Sequence, residues 1–468
     1  MQIFFFIVVA FSLNFQRVRF SKEELEADNT GLYMDQPLDH FDLTNTKKIS
    51  IQYFLNDTYF TPEGPLFVDL GGEGAASAGA IGGKFVIDKY AQKYKGMMLA
   101  IEHRFYGRSL PVGGLSQENL GYLSGIQALE DYIHIISEIK KQNQITGPVI
   151  VFGGSYSGNL AVWIRQKYPN VVYAAVASSA PLLATNQFTQ FMDVIEKDMG
   201  PQCAAAWKQA NANIEQLYKT ADGIKQIQTD FKTCKDIKND KDFTLFLQEI
   251  QANFISYPQY NNKKEKGKKC EDVCNILTGE DTPYNGMKKL VEFMLNDMKL
   301  TCSPSSYDQM LIEMAKTEGE FDVTKPNSFA STRSWAWQIC SEYSFFQPIT
   351  ETQPFDQRLN NDFYYANCED IFGVSKEKLD KKIKHTNMMY GAMSPRVTNV
   401  AFTSGSFDPW SPLAKHETQY NDVDCYASYI EGTSHCADLY SETEEDPVQL
   451  NTQRTETAAF IDELIKRY

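Results

Sequence analysis

Positive charge is in short supply in this chain of 468 residues: 45 Lys and Arg stand against 60 Asp and Glu, a formal net charge of −15 at pH 7. A surface of that sign repels nucleic acid and anionic membrane. The run Lys263-Lys264-Glu265-Lys266-Gly267-Lys268-Lys269 is the one local exception, and it reads as a solvated loop. Long apolar runs are missing too. The block from Ile3 to Leu13 is too short to cross a bilayer as a helix, so no stable membrane insertion is expected. Nucleotide signatures fail at specific positions. Gly72-Glu73-Gly74 meets Ser77 where the dinucleotide fingerprint needs glycine, and Gly83-Lys84 meets Phe85 where a phosphate loop needs Ser or Thr. Cys270 and Cys274 have no second ligand pair at zinc-like spacing, so neither metal nor organic cofactor is expected. No internal repeat is present. Histidine is scarce, six in all, which makes each one easy to weigh.

What is present starts with that apolar block, which resembles a secretory signal over residues 1–20. No Lys or Arg precedes it and no clean small-x-small site stands before Glu23, so the mature start stays open. Asn56-Asp57-Thr58 is a glycosylation acceptor. Behind a signal, most of the nine cysteines are expected to pair, with one left odd. The route is then the secretory pathway, ending in a lysosome-like vesicle or outside the cell.

The run Val149-Ile150-Val151-Phe152-Gly153-Gly154-Ser155-Tyr156-Ser157-Gly158-Asn159-Leu160 carries most of the chemistry. It reads as a buried strand, a turn of small residues around a serine, and a helix. Such a turn forces the serine out to where substrate can reach it. Ser157 stands where the strict G-x-S-x-G pattern has its second glycine, and a plain strand-helix connection could also read Gly-Gly-Ser.

A serine hydroxyl needs a base, and the base needs an orienting group. In strand-turn-helix hydrolases the order along the chain is Ser, then Asp or Glu, then His. Thr398 to Gly405 reads as a strand that delivers Asp408, and Cys425 to Ile430 as a strand that delivers His435. An aspartate before proline is also a common turn residue. His416, the other histidine after Asp408, sits in a polar stretch with no strand to aim it. Ser155, Asp408 and His435 are therefore the expected catalytic residues.

Short apolar runs at Pro65 to Leu70, Met97 to Ile101, Val149 to Phe152, Val172 to Ser178 and Val397 to Phe402 read as buried strands of a largely parallel sheet. Ser124 to Lys140 reads as a helix with Ser124 and Gln127 at capping-box spacing, and with Ile126, Leu129, Ile133 and Ile136 on its core face. From about Asn186 to His385 the sequence turns polar and helix-rich, with five cysteines before residue 303. The expected fold is α/β, an α/β-hydrolase domain in two parts, residues 21–185 and 386–468, with residues 186–385 inserted as a helical cap domain.

These residues resemble the serine carboxypeptidase S28 family, which includes prolylcarboxypeptidase, dipeptidyl peptidase II and thymus-specific serine protease. The resemblance covers nearly the whole mature chain. It rests on Leu38-Asp39-His40-Phe41, Gly71-Gly72-Glu73-Gly74, Glu102-His103-Arg104-Phe105-Tyr106-Gly107, Gly153 to Gly158, Asp408-Pro409-Trp410 and His435. Phe105, the Gly-Gly-Glu-Gly loop and Ser434-His435-Cys436 look most like the thymus-specific branch. The resemblance implies exopeptidase action on peptides next to proline and a Cys340–Cys368 disulfide.

Within that frame the Tyr156 N–H and a donor at Gly72 are expected to hold the oxyanion. A flat apolar slot for a proline ring has Trp410 as its leading candidate, ahead of Trp163, Trp335, Trp337 and Phe345. Glu73 and Glu102 could pair with a substrate ammonium, although Glu102 could instead pair internally with Arg104 or Arg108. Amino-terminal and carboxy-terminal exopeptidase action stay unseparated, as does assembly into a homodimer. A lipase or esterase of the same fold, or a secreted binding protein with no catalysis, are the alternatives.

Overall fold

The computed structural model describes residues 31–261, 267, 269–317, 329–418 and 424–468. The expected signal segment and mature start lie outside these residues. The chain divides into two compact units. One comprises Thr185–Lys316 and Phe345–Lys378, the other the described residues up to Ala184 together with Thr317–Ser344 and Leu379–Tyr468.

The second unit is built on an eight-stranded sheet in the order β1-β2-β4-β3-β5-β6-β7-β8. Its strands are β1 Leu32–Pro37, β2 Lys48–Asn56, β3 Leu66–Leu70, β4 Met97–Ile101, β5 Val149–Gly154, β6 Ala174–Ser178, β7 Val400–Gly405 and β8 Tyr426–Ile430. From β4 to β8 every neighbouring pair is parallel, while β2 runs antiparallel to both β1 and β4. That is the α/β-hydrolase architecture. Parallel strands covered on both faces must be apolar throughout, and all five residues of β4 are buried. On one face Ile87, Tyr90 and Ala91, with Ile461 and Leu464 of the last helix, pack on Phe67, Met98, Ile150, Phe152 and Val176. The antiparallel pair β1 and β2 was not expected from sequence. Strand β1 is largely exposed, so it lacks the apolar run that marks the inner strands.

The helix Gly125–Gln142 differs in detail from its expected form. Its buried face is Ala128, Leu129, Tyr132, Ile135, Ile136 and Ile139, joined by Asp131; Ile126 and Ile133 are half-buried. The stripe is turned because Asp131 must face inward to meet Arg104, with Nε to Oδ2 at 2.6 Å and Nη2 to Oδ1 at 2.8 Å. Ser124 makes no side-chain cap. Instead the Glu342 carboxylate accepts from Gly125 N at 3.0 Å, and Gln127 is drawn off to Asp39 Oδ1 and His40 N.

The first unit is helical, with Gln190–Tyr218 kinked at Gly200 and Asp240–Gln259 buried along most of its length. Cys203–Cys274 and Cys234–Cys302 staple it. Cys340 and Cys368 are each disulfide-bonded. Cys270, Cys425 and Cys436 are thiols, three where one was expected. Among the described residues no helix is long and apolar enough to cross a membrane.

Candidate active site

Strand β5 gives way to the helix Tyr156–Lys167 with only Ser155 between them. Ser155 has φ 58° and ψ −129°, a conformation that a non-glycine residue holds only when its surroundings dictate it. Three bonds do so. Ser155 N donates to Ser178 O at 2.9 Å, while Ser157 Oγ accepts from Gly154 N at 2.9 Å and donates to Gly154 O at 2.8 Å. Gly153 is required by space, since a Cβ there would fall 2.0 Å from Ser157 O. Ser157, the departure from the strict motif, thus closes the turn itself. Its Cβ lies 3.3 Å from where a Cβ on Gly72 would stand, so Gly72 is brought against the elbow.

Asp408 follows β7 and His435 follows β8, and both are buried. His435 Nδ1 lies 2.7 Å from Asp408 Oδ1, which also accepts from Trp410 N at 3.0 Å. A carboxylate only accepts here, so Nδ1 carries a proton and, in the neutral ring, Nε2 presents the lone pair. Burial works against an imidazolium at this site, yet the Asp408 carboxylate and Cys436 outweigh it and raise the His435 pKa above its ordinary value. The turn bearing His435 sits on the elbow. A Cβ on Gly154 would be 2.9 Å from Cys436 Sγ, and Cys436 N donates to Ser179 Oγ at 2.9 Å. Residues next to Ser155 and next to His435 are therefore in contact.

Asp438 was not picked out from sequence. Its buried carboxylate accepts from the Ser178 hydroxyl and, at 2.7 Å, from Thr403 Oγ1, tying the His435 turn to the ends of β6 and β7. Its only sequence signal is its place three residues after His435.

The remaining candidates separate clearly. Glu73 is half-buried, loss of solvation pushes it up to about 7, and it lies within electrostatic reach of His435. Glu102 is fully buried. Its oxygens accept from Ala76 N at 3.1 Å, Arg108 N at 2.8 Å, Ser109 N at 2.8 Å and Ser109 Oγ at 2.6 Å. Its contacts are thus internal, made to backbone amides and a hydroxyl rather than to guanidinium groups. Gly107, with φ 51°, leaves the space Glu102 fills: a Cβ there would be 1.8 Å from Glu102 Oε1. Trp410 is buried with its ring 6.4 Å from that of His435. Trp163 stacks on Tyr390 at 3.8 Å, and Trp335 lies 5.5 Å from the Tyr156 ring. Phe345 belongs to the helical unit. Asn56, at the end of β2, donates its side-chain nitrogen to Ile81 O at 2.7 Å.

Residues 36–457 match the family described as serine carboxypeptidase S28. The thymus-specific serine protease of Mus musculus is 29% identical over 452 residues, covering 93% of this chain and 87% of that protein. The lysosomal Pro-X carboxypeptidase of Mus musculus is 27% identical over 413 residues, covering 81% of this chain and 78% of that protein. The chain therefore belongs to the serine carboxypeptidase S28 family, and it is a hydrolase of the serine exopeptidase kind.

Proposed function

We propose that the protein hydrolyses short peptides next to proline through an acyl-enzyme on Ser155. The observation that carries this reading is the 2.7 Å bond from His435 to Asp408 at the sheet end where Ser155 occupies its strained turn. His435 Nε2 takes the proton as Ser155 Oγ attacks the scissile carbonyl. Asp408 keeps the imidazole in the required tautomer and stabilises its cation. The N–H of Tyr156, in the first turn of its helix and so without an acceptor four residues back, and a donor at Gly72 receive the developing oxyanion. Protonated His435 then protonates the leaving amine, and water, activated by the same imidazole, releases the acyl group.

Trp410 next to His435 is assigned to flank a proline ring, in keeping with the Pro-X activity that one relative's name states. Glu73 is assigned to pair with a substrate ammonium, because a poorly solvated carboxylate close to His435 gains from a cation. That favours release from the amino end, whereas the carboxypeptidase relative favours the other end. The disulfides support a secretory location. Peptides with proline at varied positions, blocked at one end or the other, decide direction and proline preference. Ser155→Ala and His435→Ala should each abolish turnover in folded protein; retained turnover would reject the assignment. Preference for long-chain acyl esters over all peptides would favour a lipase instead.

A further inference from the structure

Tyr156 is more than the owner of a backbone N–H. Its hydroxyl is the hub of a buried polar cluster that also takes in the Glu342 carboxylate, hydrogen-bonded to the Tyr343 and Gln338 side chains. His103 Nδ1 faces the Arg104 carbonyl at 2.7 Å and must carry the ring proton, so His103 Nε2 accepts from Tyr156 Oη at 3.0 Å. Burial holds His103 down to about 4, in the neutral form this requires. With its own proton given to His103, Tyr156 Oη accepts from Gln338 Nε2 at 2.8 Å and lies 3.2 Å from Tyr343 Oη. The Gln338 oxygen accepts from Tyr106 Oη.

Two of these partners cannot meet the hub from a regular helix. Gln338 and Tyr343 are five residues apart. At about 100° per residue an α-helix would turn them roughly 140° away from each other. Here the chain between them is wound as a π-turn, Ile339–Tyr343, closed by Ser344 N donating to Ile339 O at 2.9 Å. The wider turn brings both side chains to one face. The same turn is fastened by Glu342, whose carboxylate accepts from Gly125 N at 3.0 Å and whose carbonyl accepts from Thr386 Oγ1 at 2.9 Å. Gly125 has no side chain because a Cβ would lie 2.6 Å from Tyr343 Oη. Single π-turns of this kind recur at functional sites.

We propose that Gln338 and Tyr343, presented together by the π-turn, are positioning residues for oxyanion stabilisation. By gripping the Tyr156 phenol they fix the peptide plane that follows the strained Ser155, and with it the direction of the Tyr156 N–H. The inference rests on the reading of Ser155 as nucleophile and deepens it. Neither residue touches the reacting atoms; each acts through Tyr156.

The test compares Gln338→Met and Tyr156→Phe with the wild type and Ser155→Ala in the purified whole chain. Active sites are counted by end-point labelling with a fluorophosphonate. Per labelled site, kcat on a fluorogenic peptide substrate should fall about tenfold for Gln338→Met and about 100-fold for Tyr156→Phe, as expected when a catalytic donor is misaligned by a fraction of an ångström to an ångström. KM should stay within about twofold, and affinity for a peptide boronate, whose tetrahedral adduct places an oxygen at the oxyanion position, should fall in parallel with kcat. A purely structural role would lower yield or melting temperature and leave kcat per labelled site unchanged, which would overturn the proposal. Should Tyr156→Phe not fold, Gln338→Met decides alone. Turnover surviving in Ser155→Ala would overturn the nucleophile and this inference together; loss of turnover there with wild-type kcat in Gln338→Met would overturn the inference only.

Discussion

The missing side chain of Gly154 decides how closely the His435 turn approaches Ser155, which makes Gly154→Ala a direct probe of the site. Its backbone is not in the left-handed region, so alanine meets no conformational penalty. The obstacle is contact. A Cβ would lie 2.9 Å from Cys436 Sγ, 2.9 Å from Leu439 Cδ1 and 3.5 Å from Cys436 Cβ. Carbon atoms rest about 3.5–4.0 Å apart and sulfur is no smaller, so a shift of about 0.6–1.1 Å is needed. Leu439 can rotate its methyl away. Cys436 has a short side chain, a left-handed backbone at φ 54° and an N–H held by Ser179, so the whole turn moves and takes His435 with it. Overpacking of this size costs about 1–3 kcal/mol, and a misplacement near 1 Å costs up to about 100-fold in rate. Steady-state kinetics normalised to fluorophosphonate-labelled sites should show kcat reduced about 10- to 100-fold in protein that still folds. Adding Cys436→Ala removes the sulfur and leaves an ordinary 3.5 Å contact with residue 436 beside the movable Leu439 methyl at 2.9 Å, so the double variant should regain most of the loss. Wild-type kcat in the single variant, or no recovery in the double, would refute the packing of the two turns.

Other outcomes follow from the same contacts. Because Asp408 raises His435 against the effect of burial, and only the neutral ring accepts the Ser155 proton, kcat/KM should fall as pH drops through a value above the ordinary 6.5 or so. Asp408→Asn should move that limb down and lower kcat about 10⁴-fold, read from pH-rate profiles. The sign for stability is opposite to that for activity: a raised histidine pKa stabilises the fold below the ordinary value, and that contribution is lost as pH rises through the raised one, which urea titrations across pH can follow. Asp131→Ala leaves the Arg104 guanidinium buried without its carboxylate and should cost about 3–5 kcal/mol in denaturant unfolding. Replacing Cys203 and Cys274 by serine opens a loop of sequence separation 71 and should cost about 4 kcal/mol, measured as a lower denaturation midpoint. Asp438→Ala removes the shared acceptor of Ser178 and Thr403 and should lower kcat more than it changes KM; Asp438→Asn, which keeps one acceptor oxygen, should recover part of the loss.

The inner strands and the positions of Ser155, Asp408 and His435 were legible because they have strong local causes. A strand covered on both faces needs an unbroken apolar run, and an elbow needs small residues, so Val149 to Gly158 announces both. What stayed hidden depends on partners far away in sequence. The role of Glu102 could not be read because its ligands include amides of a loop that only Gly107 makes possible. The inward face of the helix Gly125–Gln142 includes Asp131, claimed by Arg104, which hydrophobic periodicity alone cannot register. Strand β1 escaped because an exposed antiparallel edge does not need apolar continuity, and β2 because Ser50 and Gln52 interrupt its apolar residues. The π-turn at Ile339–Tyr343 was not read either, because the groups it meets, Gly125, Tyr156 and Thr386, lie far away in sequence.

Register explains why a site split across some 280 residues can assemble despite an inserted helical unit. Gly154 pairs with Ser178, Ser178 with Thr403 and Thr403 with Ser428, one row across β5, β6, β7 and β8. In a parallel sheet the ends of such a row point the same way, so the residues that follow emerge together. A slip of one residue between β6 and β7 would turn Thr403 to the opposite face and take it away from Asp438. The hydroxyls of Ser178 and Thr403 meeting one buried carboxylate therefore reward only the correct register, and that carboxylate belongs to the turn bearing His435. Ser178 completes the link with its carbonyl, which accepts the Ser155 N–H. The insertion between β6 and β7 can accordingly be long without loosening the site, because the alignment of these two strands is fixed by polar contacts at their ends as well as by the apolar core beneath them.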